Sequence, residues 1–427
     1  MINKPRGTED ILPSDSPLWR KIESAAHDVC KSFGYKEIRT PVFEDTSLFQ
    51  RGVGDTTDVV QKEMYTFEDK GGRSITLRPE GTASLARSYI ENSLYANPQP
   101  TKLYYLISCY RYEKPQSGRL REFHQFGVEC FGAGSDAADA ETISLAVTFL
   151  NRLGVKNLKL KINSIGCPSC KKEYNDKLRN YFEKYKDSLC DTCKTRLLKN
   201  PMRIIDCKSE ICSGIAADAP KMIDNLCGEC GEHFEKAKAY LDAMGISYEI
   251  DPDIVRGLDY YTRTVFEITS DALGAQSAVC GGGRYNGLVE ELGGKPTDGI
   301  GFAVGIERLA LILKAQDLAK TDDDLPDLFI IGMGEGAEIT VQKLVYELRA
   351  AFGLSVQRDL CGRSVKAQMK YADKLGAKYT VVIGDDELST GEAPVKNMQT
   401  GETVPVKITA EDFASFIRKD TIREEKI

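Results

Sequence analysis

Residues 103–113 read LYYLISCYRYE, and after KPQSGRLRE the sequence continues as FHQFGVE at residues 123–129, the clearest indication of the fold in this chain. Two runs rich in aromatic and branched residues stand on either side of a loop that carries Pro, Gly and several basic residues. Runs of this kind, separated by a turn-forming segment, are typical of antiparallel strands. The pattern therefore predicts a β-hairpin with a long basic loop.

Successive side chains of a strand point to opposite faces, so the second run presents two different surfaces. Phe123, Gln125, Gly127 and Glu129 share one face, and His124, Phe126, Val128 and Cys130 share the other. The second set is mostly apolar and can pack into a core. The first combines an aromatic ring, a bare glycine, an amide and a carboxylate, which suits a polar ligand lying across the sheet. A half-exposed strand with ordinary polar side chains is the alternative.

Arginines close to glycine turns recur outside the hairpin. They stand in TLRPEGTA at 76–83, VRGLDYY at 255–261, CGGGRY at 280–285 and GIGFAVGIER at 299–308. With Arg111 of the hairpin, the set is Arg78, Arg256, Arg284 and Arg308. Guanidinium groups match phosphate oxygens and glycine permits close approach, so the set predicts a polyanion site. The sequence G-x-x-x-x-G-K-[ST] does not occur, which excludes a P-loop.

The composition is that of a folded globular protein with 427 residues, 41% hydrophobic and 28% charged, long enough for two or three domains. Lys and Arg total 57 against 64 Asp and Glu, a net charge of −7, so any nucleic-acid contact must come from local basic patches. The N-terminus lacks a signal-peptide core, and no stretch approaches the roughly 18 apolar residues of a membrane helix. We expect a cytoplasmic protein without membrane contact.

The coarse pattern predicts an amphipathic helix over 17–33, a largely antiparallel sheet from 35 to 132 and a helix over 136–153. After a cysteine-rich segment, strands are predicted at 260–268 and 276–280, followed by an apolar helix over 307–313. A charged linker over 321–326 then leads to alternating strands and helices. These are predicted at 328–331, 337–352, 355–358, 364–375 and 379–383. The last hundred residues should therefore form a compact α/β domain.

The cysteine-rich segment has the spacing of metal sites. Eight of the thirteen cysteines lie in it, as Cys167-x2-Cys170, Cys190-x2-Cys193, Cys207-x4-Cys212 and Cys227-x2-Cys230. Eight thiolates could hold two tetrahedral zinc ions, paired either in sequential order or in a nested order with the first and last pairs enclosing the others. Four-thiolate sites are closed, so the role would be structural. Free buried cysteines are the alternative.

The predicted C-terminal domain carries a basic helix face. Arg363, Lys366, Lys370 and Lys374 recur at spacings of three and four, which suits a nucleic-acid backbone, whereas a solvated charged face is the alternative. The same domain contains GMGEGA at 332–337, followed by Asp359, a weak match to a dinucleotide-binding turn. A Rossmann dehydrogenase is therefore a further alternative, although too few residues remain for two mononucleotide-binding halves.

Several of these motifs together resemble class II aminoacyl-tRNA synthetases, and among them the bacterial histidyl-tRNA synthetase family. The resemblance lies in KPRGTEDILP at 4–13, LRPEGT at 77–82, the hairpin at 107–129, VRGLDYY at 255–261 and GFAVGIER at 301–308. It implies an α+β fold whose catalytic domain, built on an antiparallel sheet, spans residues 1–325. A Cys-rich helical insertion at 167–235 interrupts it, and an α/β anticodon-binding domain follows at 326–427. It also implies a homodimer that uses ATP and Mg²⁺ to join L-histidine to tRNA(His) through a histidyl-adenylate.

The resemblance gives roles to the residues singled out above. Arg111 and Arg256 would lie on opposite sides of the ATP α-phosphate as the catalytic residues. Phe123 and Arg308 would sandwich the adenine, and Glu113 would reach the base. Glu80, Thr82 and Gln125 would hold the histidine α-amino group, and Glu129 and Tyr261 its imidazole. The full histidine-binding set is Glu80, Gly81, Thr82, Arg111, Gln125, Glu129, Arg256, Tyr260 and Tyr261.

The same resemblance places tRNA on two surfaces. The hairpin loop with Gln116, Arg119 and Arg121 would lie near the acceptor stem, and Arg363, Lys366 and Lys370 of the basic face would contact tRNA. Paired cysteines are not part of the family's minimal pattern, so structural Zn²⁺ is an inference from spacing. Two other functions stay open: the synthetase-like regulatory subunit of histidine biosynthesis, and a zinc-ribbon nucleic-acid adaptor.

Overall fold

The computed structural model describes residues 1–54, 57–207, 209–272, 278–320 and 325–424. The chain divides into two compact units, Met1–Lys320 and Thr321–Ile427. The first four residues of the predicted linker and the first two of the strand predicted at 276–280 lie outside the described residues. Within the described part of the chain, no helix combines the length and apolar character needed to cross a membrane.

The first unit contains ten α-helices and eleven strands in its described residues. The helices are α1 Ser16–Ser32, α2 Thr46–Val53, α3 Thr82–Glu91, α4 Asp136–Arg152, α5 Pro168–Phe182, α6 Asp191–Lys199, α7 Glu210–Ala217, α8 Gly228–Ala243, α9 Leu288–Glu291 and α10 Ile306–Ala315. The strands are β1 Lys36–Glu37, β2 Phe43–Asp45, β3 Tyr65–Glu68, β4 Ser74–Leu77, β5 Thr101–Tyr110, β6 Glu122–Phe131, β7 Leu158–Ser164, β8 Glu249–Ile250, β9 Thr262–Ser270, β10 Ala278–Arg284 and β11 Gly299–Gly305.

Eight of these strands form one sheet in the order β1-β5-β6-β11-β10-β9-β7-β8. Its six central strands are antiparallel, and the two-residue edge strands β1 and β8 pair in parallel. The predicted hairpin is confirmed, because β5 and β6 pair from Thr101 opposite Phe131 to Tyr110 opposite Glu122. Strands on both sides of the Cys-rich segment thus belong to one sheet, in which the hairpin strands are second and third from one edge.

The prediction of a single sheet from 35 to 132 is wrong in part. The helices α2 and α3 interrupt this region, and β2, β4 and β3 form a separate three-stranded sheet. Each helix is only two or three turns long, which leaves too little sequence for a helical period to stand out. Asp45 begins α2 by accepting a hydrogen bond from the Ser47 backbone N–H at 2.9 Å.

One face of the large sheet is covered by α1, α4 and α10. Phe126 and Val128 of β6 are fully buried there, together with Ile22 of α1 and Phe149 of α4. These are the apolar positions that alternation assigned to the core face, so that assignment is confirmed. His124, the polar exception, bonds through Nδ1 to the Glu307 carboxylate at 2.8 Å. The other face is left for Glu129 and its neighbours.

The Cys-rich insertion packs onto the first unit and does not stand apart from it. Its helices α5 to α8 are joined by short 3₁₀ turns at Glu183–Ser188, Pro201–Ile204 and Met222–Asn225. Tyr174, Leu178 and Phe182 of α5 share one buried cluster with Tyr105 of β5 and Tyr261. The insertion and the sheet therefore have a common core.

The second unit is a five-stranded α/β fold. Its elements are β12 Leu328–Gly332, α11 Glu335–Phe352, β13 Val356–Arg358, α12 Val365–Lys374, β14 Tyr379–Ile383, α13 Asp385–Thr390, β15 Glu392–Asn397, β16 Thr403–Lys407 and α14 Ala410–Glu424. The sheet order is β13-β12-β14-β15-β16, parallel from β13 to β14 and antiparallel beyond. The five predicted elements are present. The strands β15 and β16 were not predicted, because each contains a proline, which disfavours a strand. Both prolines are tolerated, since Pro394 lies beyond the residues that pair with β14 and Pro405 lies on the edge strand.

Candidate active site

A cavity of about 220 Å³ opens beside β6 and gathers side chains from all the polar motifs of the first unit. It is lined by twelve residues of the predicted site: Glu80, Thr82, Arg111, Glu113, Arg119, Phe123, Gln125, Glu129, Arg256, Tyr260, Tyr261 and Arg308. The predicted residues Gly81, Gln116 and Arg121 are not among its lining residues. Residues separated by more than two hundred positions in sequence thus share one pocket.

Glu129 lies at the buried end of this pocket. Its carboxylate accepts hydrogen bonds from the Thr82 hydroxyl at 2.7 Å and the Tyr285 hydroxyl at 2.6 Å. Burial raises the pKa of the Glu129 carboxyl to about 8, against the opposing effect of these bonds. A ligand that donates an N–H or carries positive charge would favour the ionised form. Sequence reasoning missed Tyr285, whose position after a glycine run predicted only a turn.

The bare glycine of the pocket face has a packing role. A Cβ on Gly127 would lie 2.3 Å from the Tyr105 ring, and a Cβ on Gly301 would lie 2.0 Å from a Glu129 carboxylate oxygen. These glycines therefore make room for side chains that belong to the site. At Gly127 the space that a side chain would take is occupied by the ring of Tyr105.

Glu80 stands at the N-terminus of α3. Its carboxylate accepts from the backbone N–H groups of Thr82 and Ala83, both at 2.8 Å, and from the Tyr260 hydroxyl at 3.3 Å. Burial raises the pKa of the Glu80 carboxyl, and the two backbone donors oppose that rise. The carboxylate is thus held rigidly at the pocket wall, in a position to accept from a cationic group.

Four arginines line the pocket, namely Arg119 of the hairpin loop and Arg111, Arg308 and Arg256. Arg111 donates from Nε to the Pro79 carbonyl at 2.8 Å, and its guanidinium lies 5.2 Å from the centre of the Phe123 ring. Arg308 donates to the carbonyls of Gly118 at 3.0 Å and Ala278 at 2.8 Å. Burial and the neighbouring arginines lower the pKa of Arg308, with Glu113 opposing.

Arg256 is another of these arginines and lies in an ion pair with Glu267. Its guanidinium carbon is 5.7 Å from the centre of the Tyr261 ring. Despite burial, the Glu267 carboxylate raises the pKa of Arg256, so this guanidinium keeps its charge. Charged groups held in place before a substrate arrives can stabilise charge that develops during a reaction.

Two of the five predicted arginines have structural roles and lie outside the pocket. Arg284 is fully buried, where it pairs with Asp139 and donates to the Ala133 and Ser135 carbonyls at 2.8 and 2.7 Å. Arg78 donates to the carbonyls of Ser108 at 2.7 Å and Thr40 at 2.8 Å. Their guanidinium donors are used on the protein's own backbone, so the prediction of five phosphate-binding arginines was wrong for these two.

The hairpin loop holds its polar residues in local contacts. Glu113 pairs with Arg119 at 2.9 Å, and Gln116 and Arg119 form an isolated β-bridge. Arg121 lies with its guanidinium carbon 3.8 Å from the Tyr112 ring centre and donates to the Glu113 carbonyl at 3.1 Å. The loop is therefore ordered at the mouth of the pocket, with Glu113 paired before any ligand enters.

The eight cysteines of the insertion form two clusters with the nested pairing. Cys167, Cys170, Cys227 and Cys230 make the outer cluster, and Cys190, Cys193, Cys207 and Cys212 the inner cluster. Within each cluster all sulfurs lie within 4.8 Å of one another. Sulfur separations of 3.6 Å for Cys167–Cys170 and 3.9 Å for Cys190–Cys207 suit four thiolates about 2.3 Å from one ion, which would stand about 3.8 Å apart.

The clusters are built on helix N-termini. Cys167, Cys190 and Cys227 are the N-cap residues of α5, α6 and α8, where the helix dipole favours a thiolate. The Cys227 backbone N–H donates to the Cys170 sulfur at 3.1 Å, and the Cys190 N–H to the Cys212 sulfur at 3.3 Å. Such bonds orient sulfur ligands around a metal.

In the second unit, the basic face is shorter than predicted. Lys366, Lys370 and Lys374 are exposed on α12. Arg363 precedes the N-cap of that helix, pairs with Asp359 at 2.5 Å and lies over the Tyr371 ring, so its assignment to the helix was wrong. Asp359 also accepts from the Arg363 and Cys361 backbone N–H groups at 2.7 and 3.2 Å. Its carboxylate organises the loop, which removes the ribose ligand that a dinucleotide site requires.

Comparisons with known proteins agree with this geometry. The family model described as histidyl-tRNA synthetase matches residues 7–168 and 215–309, and the one described as anticodon binding domain matches 327–420. The histidine–tRNA ligase of Acetivibrio thermocellus is 59% identical over 408 residues, covering 96% of this chain and 98% of that protein. That of Halothermothrix orenii is 54% identical over 407 residues, covering 95% and 97%.

Among solved structures, the apo histidyl-tRNA synthetase of S. aureus superposes with a TM-score of 0.83 at 44% identity, covering 98% of this chain and 100% of that one. The antiparallel sheet, its arginine-lined pocket and a C-terminal anticodon-binding domain define a class II aminoacyl-tRNA synthetase. Within that class, the chain belongs to the histidyl-tRNA synthetase family, as its motifs predicted.

Proposed function

We propose that this chain joins L-histidine to the 3′ end of tRNA(His) through a histidyl-adenylate formed in the pocket beside β6. The observation that carries the proposal is the placement of a buried carboxylate, Glu129, in the same cavity as Arg111, Arg256 and Phe123. Such a pocket can take an imidazole at one end and a nucleotide phosphate at the other. Relatives more than half identical over nearly the whole chain are histidine–tRNA ligases, which disfavours the regulatory-subunit alternative.

The histidine subsite lies between two carboxylates. Glu80 would accept from the α-ammonium group together with Thr82 and Gln125, and Glu129 and Tyr261 would bond to the imidazole nitrogens. The proposed subsite also includes Tyr260, whose hydroxyl bonds to Glu80, and Gly81, which lies between Glu80 and Thr82 in the chain. Because imidazole has both a donor and an acceptor nitrogen, a carboxylate and a phenol can satisfy both. A side chain lacking these nitrogens would leave buried polar groups unpaired, which gives steep discrimination.

The nucleotide subsite uses the aromatic ring and the guanidinium groups. Phe123 and Arg308 would sandwich the adenine, Glu113 would contact the base, and Arg111 and Arg256 would hold the α-phosphate. ATP would carry Mg²⁺ on its phosphate oxygens, which supply much of the coordination of this ion in nucleotide sites. Bound there, Mg²⁺ would neutralise part of the phosphate charge.

The first chemical step needs no side-chain base. The carboxylate of histidine is ionised at neutral pH and attacks the α-phosphorus, and the bond to pyrophosphate breaks. Arg111 and Arg256 stabilise the charge on the phosphoryl oxygens and align the nucleophile with the leaving group. In the second step a ribose hydroxyl of the terminal adenosine attacks the histidyl carbonyl, and AMP leaves.

The remaining assignments complete the proposal. Residues 1–325 form the catalytic domain, interrupted by the insertion at 167–235, and 326–427 the anticodon-binding domain. Gln116, Arg119 and Arg121 contact the acceptor stem, and Arg363, Lys366 and Lys370 the anticodon region. The two cysteine clusters hold structural Zn²⁺, since four thiolates leave no open position for a substrate. The protein acts as a cytoplasmic homodimer.

Attachment of labelled histidine to tRNA tests the proposed activity. A tRNA(His) transcript should be charged by the purified protein with ATP and Mg²⁺, and a tRNA for another amino acid should not. Histidine binding without charging of any tRNA would contradict the proposal and favour the regulatory alternative.

A further inference from the structure

We propose that the Cys-rich insertion holds the Arg256–Tyr261 segment in its active position through two positioning residues, Arg203 and Lys171, which the two metal-loaded clusters fix in place. This inference rests on the proposed function, because Arg256 matters here as a residue of the adenylation step. It assigns to the insertion a role in that step beyond local stability. The two cysteine clusters then serve the reaction although neither lies in the pocket.

The Arg256–Tyr261 segment lacks regular secondary structure of its own. It connects β8 to β9, so its carbonyl groups have no place in a strand ladder. Carbonyl groups outside a ladder need other donors, and here side chains of the insertion supply donors to the carbonyls of Arg256, Gly257 and Tyr261. The position of the Arg256 side chain therefore depends on what holds the backbone on either side of it.

Arg203 supplies two of these donors. It lies on the 3₁₀ turn Pro201–Ile204, is only 9% exposed, and donates to the Arg256 carbonyl at 3.0 Å and the Gly257 carbonyl at 2.6 Å. Its Nε is also 3.6 Å from an Asp259 carboxylate oxygen. One planar guanidinium thus contacts three residues of the segment, a geometry that a flexible ammonium group cannot reproduce in full.

Lys171 holds the other end of the segment. Its ammonium group donates to the Tyr261 carbonyl. Lys171 directly follows Cys170, a member of the outer cluster, on α5. The residue that holds the segment at Tyr261 is therefore one peptide bond away from a predicted metal ligand.

Arg203 is tied to the inner cluster in a similar way. The Arg203 carbonyl accepts from Arg196 of α6 at 3.0 Å, and α6 carries Cys193. The Ile204 carbonyl accepts from the Cys207 backbone N–H at 3.1 Å. Arg203 thus lies in the chain between Cys193 and Cys207. A hydrogen bond joins it to the helix that carries Cys193, and its neighbour Ile204 bonds to Cys207.

A metal ion is well suited to order the short helices around the inner cluster. The inner cluster lies within residues 169–214, which the histidyl-tRNA synthetase family model does not match, and α6 and α7 have only nine and eight residues. Short helices with little apolar surface gain order from metal ligation, which supplies folding free energy directly. Zinc at the inner cluster would therefore determine where Arg203 lies.

The test compares full-length variants in histidine-dependent ATP–pyrophosphate exchange. Arg203→Ala should lower kcat by about 10- to 100-fold, since Arg256 acts on charge formed in the reaction and a misplacement of about 1 Å costs that much. The KM for histidine should change less than about threefold, because Lys171 still holds the Tyr261 end of the segment. Arg203→Lys should recover part of the loss. Arg179→Ala, a matched arginine in an exposed pair with Asp176, should keep the wild-type rate. Zinc content and circular dichroism should stay unchanged in all three.

Coupling to the metal is tested by combining Arg203→Ala with Cys193→Ser. If the inner ion acts through Arg203, Cys193→Ser should lower kcat similarly, and the double variant should be no slower than the worse single variant. Fully multiplicative losses, or a wild-type rate in Arg203→Ala, would overturn the inference. If Arg203→Ala does not fold, Arg203→Lys serves as the test. A normal zinc content with an unchanged kcat in Arg203→Lys would overturn the inference. Absence of exchange in the wild-type protein would instead overturn the proposed function.

Discussion

At the scale of single residues, Arg256 is the side chain on which the proposed chemistry depends most. It is charged, lines the pocket, forms an ion pair with Glu267 and lies close to the Tyr261 ring. Removing a preorganised charge from a reacting phosphate costs about 100-fold or more in rate. We expect Arg256→Ala to lower the rate of ATP–pyrophosphate exchange by at least that factor, with the thermal unfolding transition still cooperative.

Arg152→Ala provides the control for Arg256→Ala. Arg152 is half exposed and only 3.6 Å from Asp28 in a surface pair, so its loss should leave the exchange rate unchanged. An Arg256→Ala protein with the wild-type rate would remove Arg256 from the mechanism.

Glu129 links the pocket to the pH dependence of stability. Burial raises the pKa of its carboxyl from 4.5 to about 8, so the folded state holds a proton that the unfolded state releases near pH 4.5. The stability from the protonated carboxyl is complete below about pH 4.5 and is lost as the pH rises through 8. Relative to Glu129→Gln, which has no titratable group there, the wild-type protein should lose free energy of unfolding between pH 5 and 8.

Denaturant unfolding of the two proteins at pH 5, 6.5 and 8 measures this difference. A difference in unfolding free energy that does not change with pH would show that Glu129 has an ordinary pKa. The same variant should also raise the KM for histidine, because an amide cannot replace the carboxylate as a double acceptor.

At the scale of elements, the two cysteine clusters of the insertion predict a zinc content that can be measured. The nested pairing of eight cysteines predicts two zinc ions per chain in metal analysis of untagged protein. Cys170→Ser should reduce the content to about one, since a tetrahedral site that loses a thiolate binds zinc far less tightly. Cys361→Ser removes an exposed cysteine of the second unit and should leave two ions bound. A zinc content near zero in the unmodified protein would mean that these cysteines are ordinary free thiols.

Some elements of the fold and the site could be predicted from the sequence and others could not. The hairpin of β5 and β6 was predictable because alternation of side chains is local, and that alternation separated Glu129 from Phe126. The pairing of the cysteines was not predictable, because spacing allows both orders and only the helix arrangement decides. Arg284 and Arg256 both follow or adjoin glycines, yet one is buried against Asp139 and the other lies in the pocket. The two arginines differ in their spatial neighbours, which come from distant parts of the chain and cannot be predicted from local sequence.

At the scale of the whole molecule, the two units should contribute to different steps. The pocket lies within the first unit, whereas the exposed lysines Lys366 and Lys370 lie on α12 of the second. Replacing both lysines by alanine should weaken tRNA charging about three- to tenfold in kcat/KM and reduce its salt dependence, because fewer counterions are released on binding. The rate of ATP–pyrophosphate exchange without tRNA should not change.

The double variant Lys396→Ala and Lys407→Ala is the matched control, since both residues are exposed on strands β15 and β16 of the same unit. It should charge tRNA at the wild-type rate. Equal effects of the two double variants on charging would mean that the basic face of α12 has no special part in tRNA binding.

ATP–pyrophosphate exchange with each of the twenty amino acids measures whether the pocket beside β6 forms a histidyl-adenylate. We expect exchange with histidine alone, because an imidazole can bond to both Glu129 and Tyr261. Exchange with another amino acid, or none with any amino acid in a folded protein that binds histidine, would contradict this expectation.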